Sequence, residues 1–424
     1  MARYNQHVRS PIPARWVAIS VFIFASVLNY LDRQILATMV DIWRAHPEFP
    51  FTYDDYGLLL SVFSIAYAVS ALFVGWFVDR VGLNRGAGLA VTVWAIASFG
   101  TGASHSVHQL LVWRALLGVS EASAIAAVTK AIAMYLLPQE RAVGQATSQL
   151  GLSLGAGLAP AFAVYFSYRF SWHWAFYAAG IVSLLWIPLW LATSRAVPPA
   201  AFVPGRSTHS FALLRDSKLW VLIFANMLGM TVYSLWANWA PTYLIHVQHL
   251  TPPQAAHYTW IVPISGYFGG LLGGLMSWQF VRSGQAPIAA RKRACLIATL
   301  FLLGTAAVPL APNPALATLG MSLSYFWVCA WSVNHYTLPI DLYGAGRAAF
   351  GGASLVFAYG VMQAVISRPL AAIIENIGFS PVCVVFAVLP LAGYFLVHMR
   401  IGEPSASEMA GIQSQMADKI PSMR

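Results

Sequence analysis

Twelve apolar segments follow one another along the chain, separated by short polar turns, and nothing else in the sequence limits the fold as strongly. They lie near 16–38, 56–78, 86–104, 108–135, 143–166, 173–193, 219–246, 258–281, 294–310, 315–340, 349–374 and 380–399. In lipid every backbone N–H and C=O must be satisfied within the protein, so apolar runs of about 20 residues are expected to span as α-helices. Composition agrees: 58% of the 424 residues are hydrophobic and 9% are charged, against about 25% charged in a soluble domain. The expected class is an all-α integral membrane protein of twelve transmembrane helices. The even count puts both termini on one side.

Charge decides which side. Arg33, Arg114, Lys130 and Arg368 fall inside spans, Arg44 and Arg169 fall opposite the termini, and every other Lys and Arg falls on the side of the termini. Basic residues accumulate in cytoplasmic loops, which predicts cytoplasmic termini. The net charge of +10 therefore reports topology and gives no support for a nucleic-acid partner. The first apolar stretch follows arginines as a secretory signal would, but it runs into Asp32-Arg33 without a small-residue cleavage site and reads as a retained helix. Cys295, Cys329 and Cys383 all lie inside spans, which argues against a disulfide framework or a metal site. A polar interval rich in Pro, Ser and Arg, 194–218, divides the chain into a six-helix bundle over 1–193 and another over 219–400. A disordered polar tail is expected from 401.

Four ionisable residues stand where hydrocarbon is expected: Asp32 and Arg33 in the first span, Arg114 and Glu121 in the fourth. Such groups are costly in a bilayer, face cavities or one another, and mark paths for substrates or protons. Counting about 1.5 Å per residue from Trp16 and from His108, across a core of about 30 Å, makes Arg33 and Arg114 nearly level and Glu121 about 10 Å deeper. Two level guanidiniums suit a carboxylate, because each planar fork donates paired hydrogen bonds and stays charged. Asp32 and Glu121 can take up and release a proton, so they are the candidate coupling acids. The competing reading is a neutral set of ion pairs that merely joins two helices. Buried pairs stabilise poorly compared with apolar packing, which favours a functional role.

The loop after the second span reads Gly75-Trp76-Phe77-Val78-Asp79-Arg80-Val81-Gly82 and fits G-x-x-x-D-R-x-G, a signature of the major facilitator superfamily. The usual basic pair after the last glycine is replaced by Leu83-Asn84, with Arg85 one place late. Gly75, Asp79, Arg80 and Gly82 are thereby implied to form the gating motif. Within the superfamily the chain resembles the anion:cation symporters that carry sugar acids. The matching strings are Asn29-Tyr30-Leu31-Asp32-Arg33, Ser61-Val62-Phe63-Ser64-Ile65-Ala66-Tyr67, Arg114-Ala115-Leu116-Leu117-Gly118-Val119-Ser120-Glu121 and the exit Leu137-Pro138-Gln139-Glu140-Arg141. Gly273-Gly274, Arg291-Lys292 and Ile377-Gly378-Phe379-Ser380-Pro381 are similar to the hexuronate transporter branch. Asn226 departs from that branch, where some relatives carry a basic residue. The resemblance implies two pseudo-symmetric bundles with a site at their interface, a design used by transporters built from repeats.

Other polar side chains are weaker candidates for the substrate. Tyr67 and Gln149 can donate to substrate hydroxyls, and Asn334, Tyr359 and Gln363 can meet the polyol end of a sugar acid, although lone polar residues often serve as interhelical links. Lys130 is expected to snorkel, Arg368 to snorkel or pair with Glu375, and His105, His108 and His335 to lie towards span ends or loops without metal-ligand spacing. No HExxH, Ser/His/Asp set or phosphate loop points to an enzyme. The expected protein is a monomeric, proton-coupled symporter of a small organic anion such as a hexuronate or aldonate, in the cell inner membrane, with no cofactor. The alternatives are an exchanger or facilitator of the same fold and a non-transporting membrane sensor.

Overall fold

A computed structural model describes residues 12–46, 50–136, 140–197, 211–343 and 345–402, and every element of three or more turns among them is an α-helix. In chain order these are α1 (Ile12–Arg44), α2 (Tyr53–Val81), α3 (Leu83–Gly102), α4 (Val107–Glu121), α5 (Ser123–Tyr135), α6 (Arg141–Arg169), α7 (Trp172–Ala196), α8 (Ser217–Gly229), α9 (Thr231–His246), α10 (Pro252–Thr259), α11 (Ile261–Arg282), α12 (Pro287–Leu302), α13 (Pro314–Tyr343), α14 (Ala345–Asn376) and α15 (Phe379–Arg400). The twelve expected spans are all present. Three are broken once, at α4–α5, α8–α9 and α10–α11, and the ninth continues from α12 into the 3-10 helix Leu303–Leu310. Among the described residues, nine helical stretches are long and apolar enough by themselves to cross a membrane. The protein is a multi-pass membrane protein of twelve transmembrane helices.

The helix ends follow local chemistry. At α2 the Thr52 side chain accepts from Asp55 N at 3.1 Å while the Asp55 carboxylate accepts from Thr52 N at 2.9 Å, a reciprocal cap that fixes where the helix begins. Gly82, the last glycine of the signature, turns the chain from α2 into α3 at φ 88°, where a side chain would strain the backbone. Prolines lie inside α6, α7, α9, α13, α14 and α15. Packed neighbours in a bundle tolerate the hydrogen bonds they remove.

The chain divides into two compact units. Of the described residues, the first holds those up to 197 together with 237–264 and 363–376, and the second holds 211–236, those within 265–362 and 377–402. In the first, α1 packs along α6 and α7, α2 along α4, and α3 along α7 and α4. The two segments from later in the chain are tied to the ends of α1 and α2 by hydrogen bonds: Tyr56 Oη donates to Asn238 O at 2.7 Å, Ser61 Oγ to Ala364 O at 2.7 Å, and Arg368 to both oxygens of Asp54 at 2.6 and 2.7 Å. The Asp41 carboxylate lies 2.8 Å from His246 Nε2 and accepts from Tyr53 Oη at 3.2 Å. Arg368 thus pairs with Asp54 instead of Glu375, which lies 3.7 Å from Arg44. Within one helix Arg368 and Glu375 are seven residues apart, beyond the next turn, whereas Asp54 comes up against the Arg368 side chain.

In the second unit α12 packs on α13, and α15 packs on α8 and α12, around a core of Leu219, Leu222, Leu338, Leu355 and Val397. Asn334 Nδ2 donates to Gly273 O and Ala330 O, both at 2.9 Å, and Arg291 pairs with Asp341 at 3.3 Å. His335 does not lie near a span end. It is buried in α13, stacked on Trp331 at 4.5 Å, with Nε2 3.0 Å from Leu222 O.

Candidate functional site

Glu121 sits where the fourth span breaks. Ser120 Oγ back-bonds to Leu116 O and Leu117 O at 3.0 Å, and Ser123 Oγ to Ser120 O at 2.8 Å, so hydroxyls compete for the helix carbonyls and α4 ends at Glu121. Gly118 lets this helix approach α2 closely: a Cβ there would lie 2.5 Å from Phe63 O. The approach brings Arg114 and Glu121 against the residues of α1.

Arg33 donates through Nε to Glu121 Oε2 at 2.9 Å, and its Nη2 lies 2.9 Å from the same oxygen. The guanidinium also lies 4.8 to 4.9 Å from the ring centres of Tyr30, Phe63 and Tyr67, a cage of three aromatic faces that attract a cation. Arg33 keeps 18% of its side chain exposed, while Glu121 is fully buried and its Oε1 has no hydrogen-bond partner among the described residues. Asp32 is buried and accepts from Ser98 Oγ of α3. Arg114 is buried near both acids, yet its Nε and Nη2 have no hydrogen-bond partner among the described residues.

Two carboxylates and two guanidiniums make the cluster neutral. Leaving buried charged donors unmade is costly, so the arrangement is poor as a mere helix clamp. It is well suited to accept one more carboxylate, because a planar fork with free N–H groups binds a planar anion at two points. A groove of about 670 Å³ between α6 and α10–α11, lined by Leu154, Leu158, Ala161, Tyr165, Trp260 and Ile264 among others, is apolar and holds none of these residues.

The structure brings Asp32, Arg33, Tyr67, Arg114 and Glu121 together. Arg33 engages Glu121, and Arg114 lies near both acids. Gln149 is exposed on α6, Gln363 is buried on α14, Asn334 is engaged with backbone carbonyls, and Tyr359 meets the Tyr233 ring edge-on at 5.8 Å. Lys130 donates to Val78 O at 3.1 Å, near the carbonyl-rich end of α2. Of the gating motif, Arg80 is exposed and Gly82 makes its turn, while the surroundings of Gly75 and Asp79 lie outside the described residues. The same holds for 198–210 of the linker, the string 137–139 and the tail from 403.

Sequence reasoning missed Ser98 and the aromatic cage. Tyr30 lies one helical turn before Arg33, a spacing that could have flagged it. Phe63 and Tyr67 share a face of α2 in the same way. Ser98 offered no signal beyond a hydroxyl within an apolar span.

Over 416 residues the chain is 24% identical to the hexuronate transporter of Escherichia coli strain K12, covering 93% of this chain and 96% of that protein. It is 23% identical over 425 residues to the D-galactonate transporter of Escherichia coli O6:H1, covering 92% and 96%. In fold it matches the crystal structure of a bacterial homolog of the human lysosomal transporter Spinster with a TM-score of 0.74 at 18% identity, over 93% of this chain and 100% of that one. Residues 22–367 match the family model of the Major Facilitator Superfamily, and the chain belongs to that superfamily.

Proposed function

We propose that this protein is a proton-coupled symporter of a small sugar acid, a hexuronate or aldonate, working by alternating access in the cell inner membrane with both termini cytoplasmic. The observation that carries the reading is Arg114, buried with free N–H donors beside an Arg33–Glu121 pair and a second acid, Asp32. The two relatives named as hexuronate and galactonate transporters support the substrate class, and the distribution of basic residues supports the orientation.

The substrate carboxylate binds at Arg114 and competes with Glu121 for Arg33. Glu121, once released into an apolar surrounding, favours a proton over a bare charge. Anion and proton therefore load together, and the neutral set crosses. Tyr67 at the mouth of the Arg33 cage and Gln149 on α6 donate to substrate hydroxyls. Asn334, Tyr359 and Gln363 are the contacts from the C-terminal half, and the Gly75–Gly82 loop steadies one of the two end states. The six-helix halves, 1–193 and 219–400, move about the linker 194–218 as a monomer. A carrier of this kind transports its substrate unchanged, so no catalytic group or cofactor is required.

Purified protein in liposomes, given an inward proton gradient, should accumulate glucuronate, galacturonate or galactonate. Arg114→Lys keeps the charge but loses the fork. It should weaken substrate binding by tenfold or more, read as the substrate-induced rise in melting temperature. Unchanged affinity in Arg114→Lys would remove this residue from the anion site, and absence of proton-driven uptake in the parent protein would remove the symport mechanism.

A further inference from the structure

The two acids of the cluster are held by different kinds of partner. Glu121 faces a guanidinium, which can only donate and so cannot accept from the O–H of the protonated acid. Asp32 faces the Ser98 hydroxyl, which donates to a carboxylate and, after turning about its C–O bond, accepts from a carboxylic acid. Both Ser98 and Asp32 are almost wholly buried, so no bulk water is at hand to take over either role. The other groups facing Asp32 are Arg114 and Glu121 from the fourth span, and Arg33 follows it on α1. Tyr56, which also faces Arg114, has its hydroxyl committed to Asn238 O.

We infer that Ser98 is a positioning residue for proton coupling, holding the Asp32 side chain in one place whether or not it carries the proton. The inference rests on the symport reading and adds a residue that this reading does not contain. Its physical content is that Asp32 gains or loses a proton without breaking a hydrogen bond, while the hydroxyl favours the carboxylate enough to let the proton leave. Only a proton moves: on release the carboxyl O–H bond breaks, the proton passes to a water molecule on the side to which the carrier has then opened, and the hydroxyl reverses its direction.

The test is the pH profile of uptake in liposomes, with substrate exchange at equal pH on both sides as a measure of folded, binding-competent protein. In Ser98→Ala the carboxylate loses a donor, so the proton is held more tightly and persists to higher pH. The midpoint of the profile should move up by about one pH unit, the size expected for a hydrogen bond to a charged group. Ser98→Thr keeps the hydroxyl and should restore the parental midpoint, and Ser98→Cys, a weak donor, should fall between. An unmoved midpoint in Ser98→Ala, or in Ser98→Cys should the alanine variant not fold, would overturn the inference. Equal losses of exchange at every pH in Ser98→Ala and Ser98→Thr would overturn it too, leaving Ser98 a packing residue. Failure of the symport reading looks different, because the parent protein itself would then show no dependence on the proton gradient.

Discussion

At the scale of single residues, the central question is what happens to a buried carboxylate when its arginine is taken by another anion. Glu121 accepts from Arg33 through one oxygen, and the other oxygen is buried without a partner. Its charge is therefore tolerable only while Arg33 stays. Glu121→Gln mimics the protonated acid permanently, and it removes the competitor for Arg33. This variant should bind substrate at least as well as the parent and exchange it across the membrane, yet lose pH-driven accumulation. Both activities can be read in the same vesicles. Accumulation at the parental level would shift the coupling role to Asp32 alone, and loss of binding would mean that the carboxylate is needed to orient Arg33.

At the scale of elements, the site depends on how closely α4 approaches α2. Gly118 faces Phe63 O with room for a hydrogen but not for a methyl group, whereas Gly88 of α3 has open space where its Cβ would stand. Gly118→Ala should push the helices apart and destabilise by about 1–3 kcal/mol, the usual cost of overpacking, with transport lost in proportion. Gly88→Ala should be neutral or slightly stabilising, since alanine is the better helix former by about 1 kcal/mol. Thermal unfolding in detergent compares the two directly. A stable, active Gly118→Ala protein would show that the α2–α4 contact is softer than its geometry. Helix breaks at α4–α5 were invisible to hydropathy for a related reason: serine back-bonding leaves the apolar count unchanged while altering the path of the backbone.

At the scale of the whole molecule, the proposed carrier opens at each end in turn, and on that reading the contacts that tie 237–264 and 363–376 to α1 and α2 are expected to break. The Arg368–Asp54 pair is exposed, and further along the two helices Ser61 is buried, in a half-buried bond to Ala364 O. A cysteine at Ser61, in a protein lacking Cys295, Cys329 and Cys383, should resist a membrane-impermeant thiol reagent. Arg368→Asp sets like charges together and should speed labelling several-fold, and the exchanged pair Asp54→Arg with Arg368→Asp should slow it again. Equal labelling in all three would show that this pair has no part in the closure. The Asp41–His246 contact belongs to the same set, and substituting either residue should act in the same direction.

The sequence by itself determined that the chain crosses a membrane twelve times, because length and hydropathy of each run are local properties and the bilayer leaves helices as the economical solution. It also singled out Asp32, Arg33, Arg114 and Glu121, since a charge among apolar neighbours is conspicuous without any structure. Only the tertiary structure decided which charge meets which. Arg33 goes to Glu121, Arg368 to Asp54 and Lys130 to Val78 O. Pairing of this kind is set by the rotation of each helix about its axis, by where each helix starts, and by which neighbour a glycine admits. None of these can be counted along one strand of sequence. Ser98 is the extreme case: a lone hydroxyl in an apolar helix is unremarkable until the fold sets it against a buried acid.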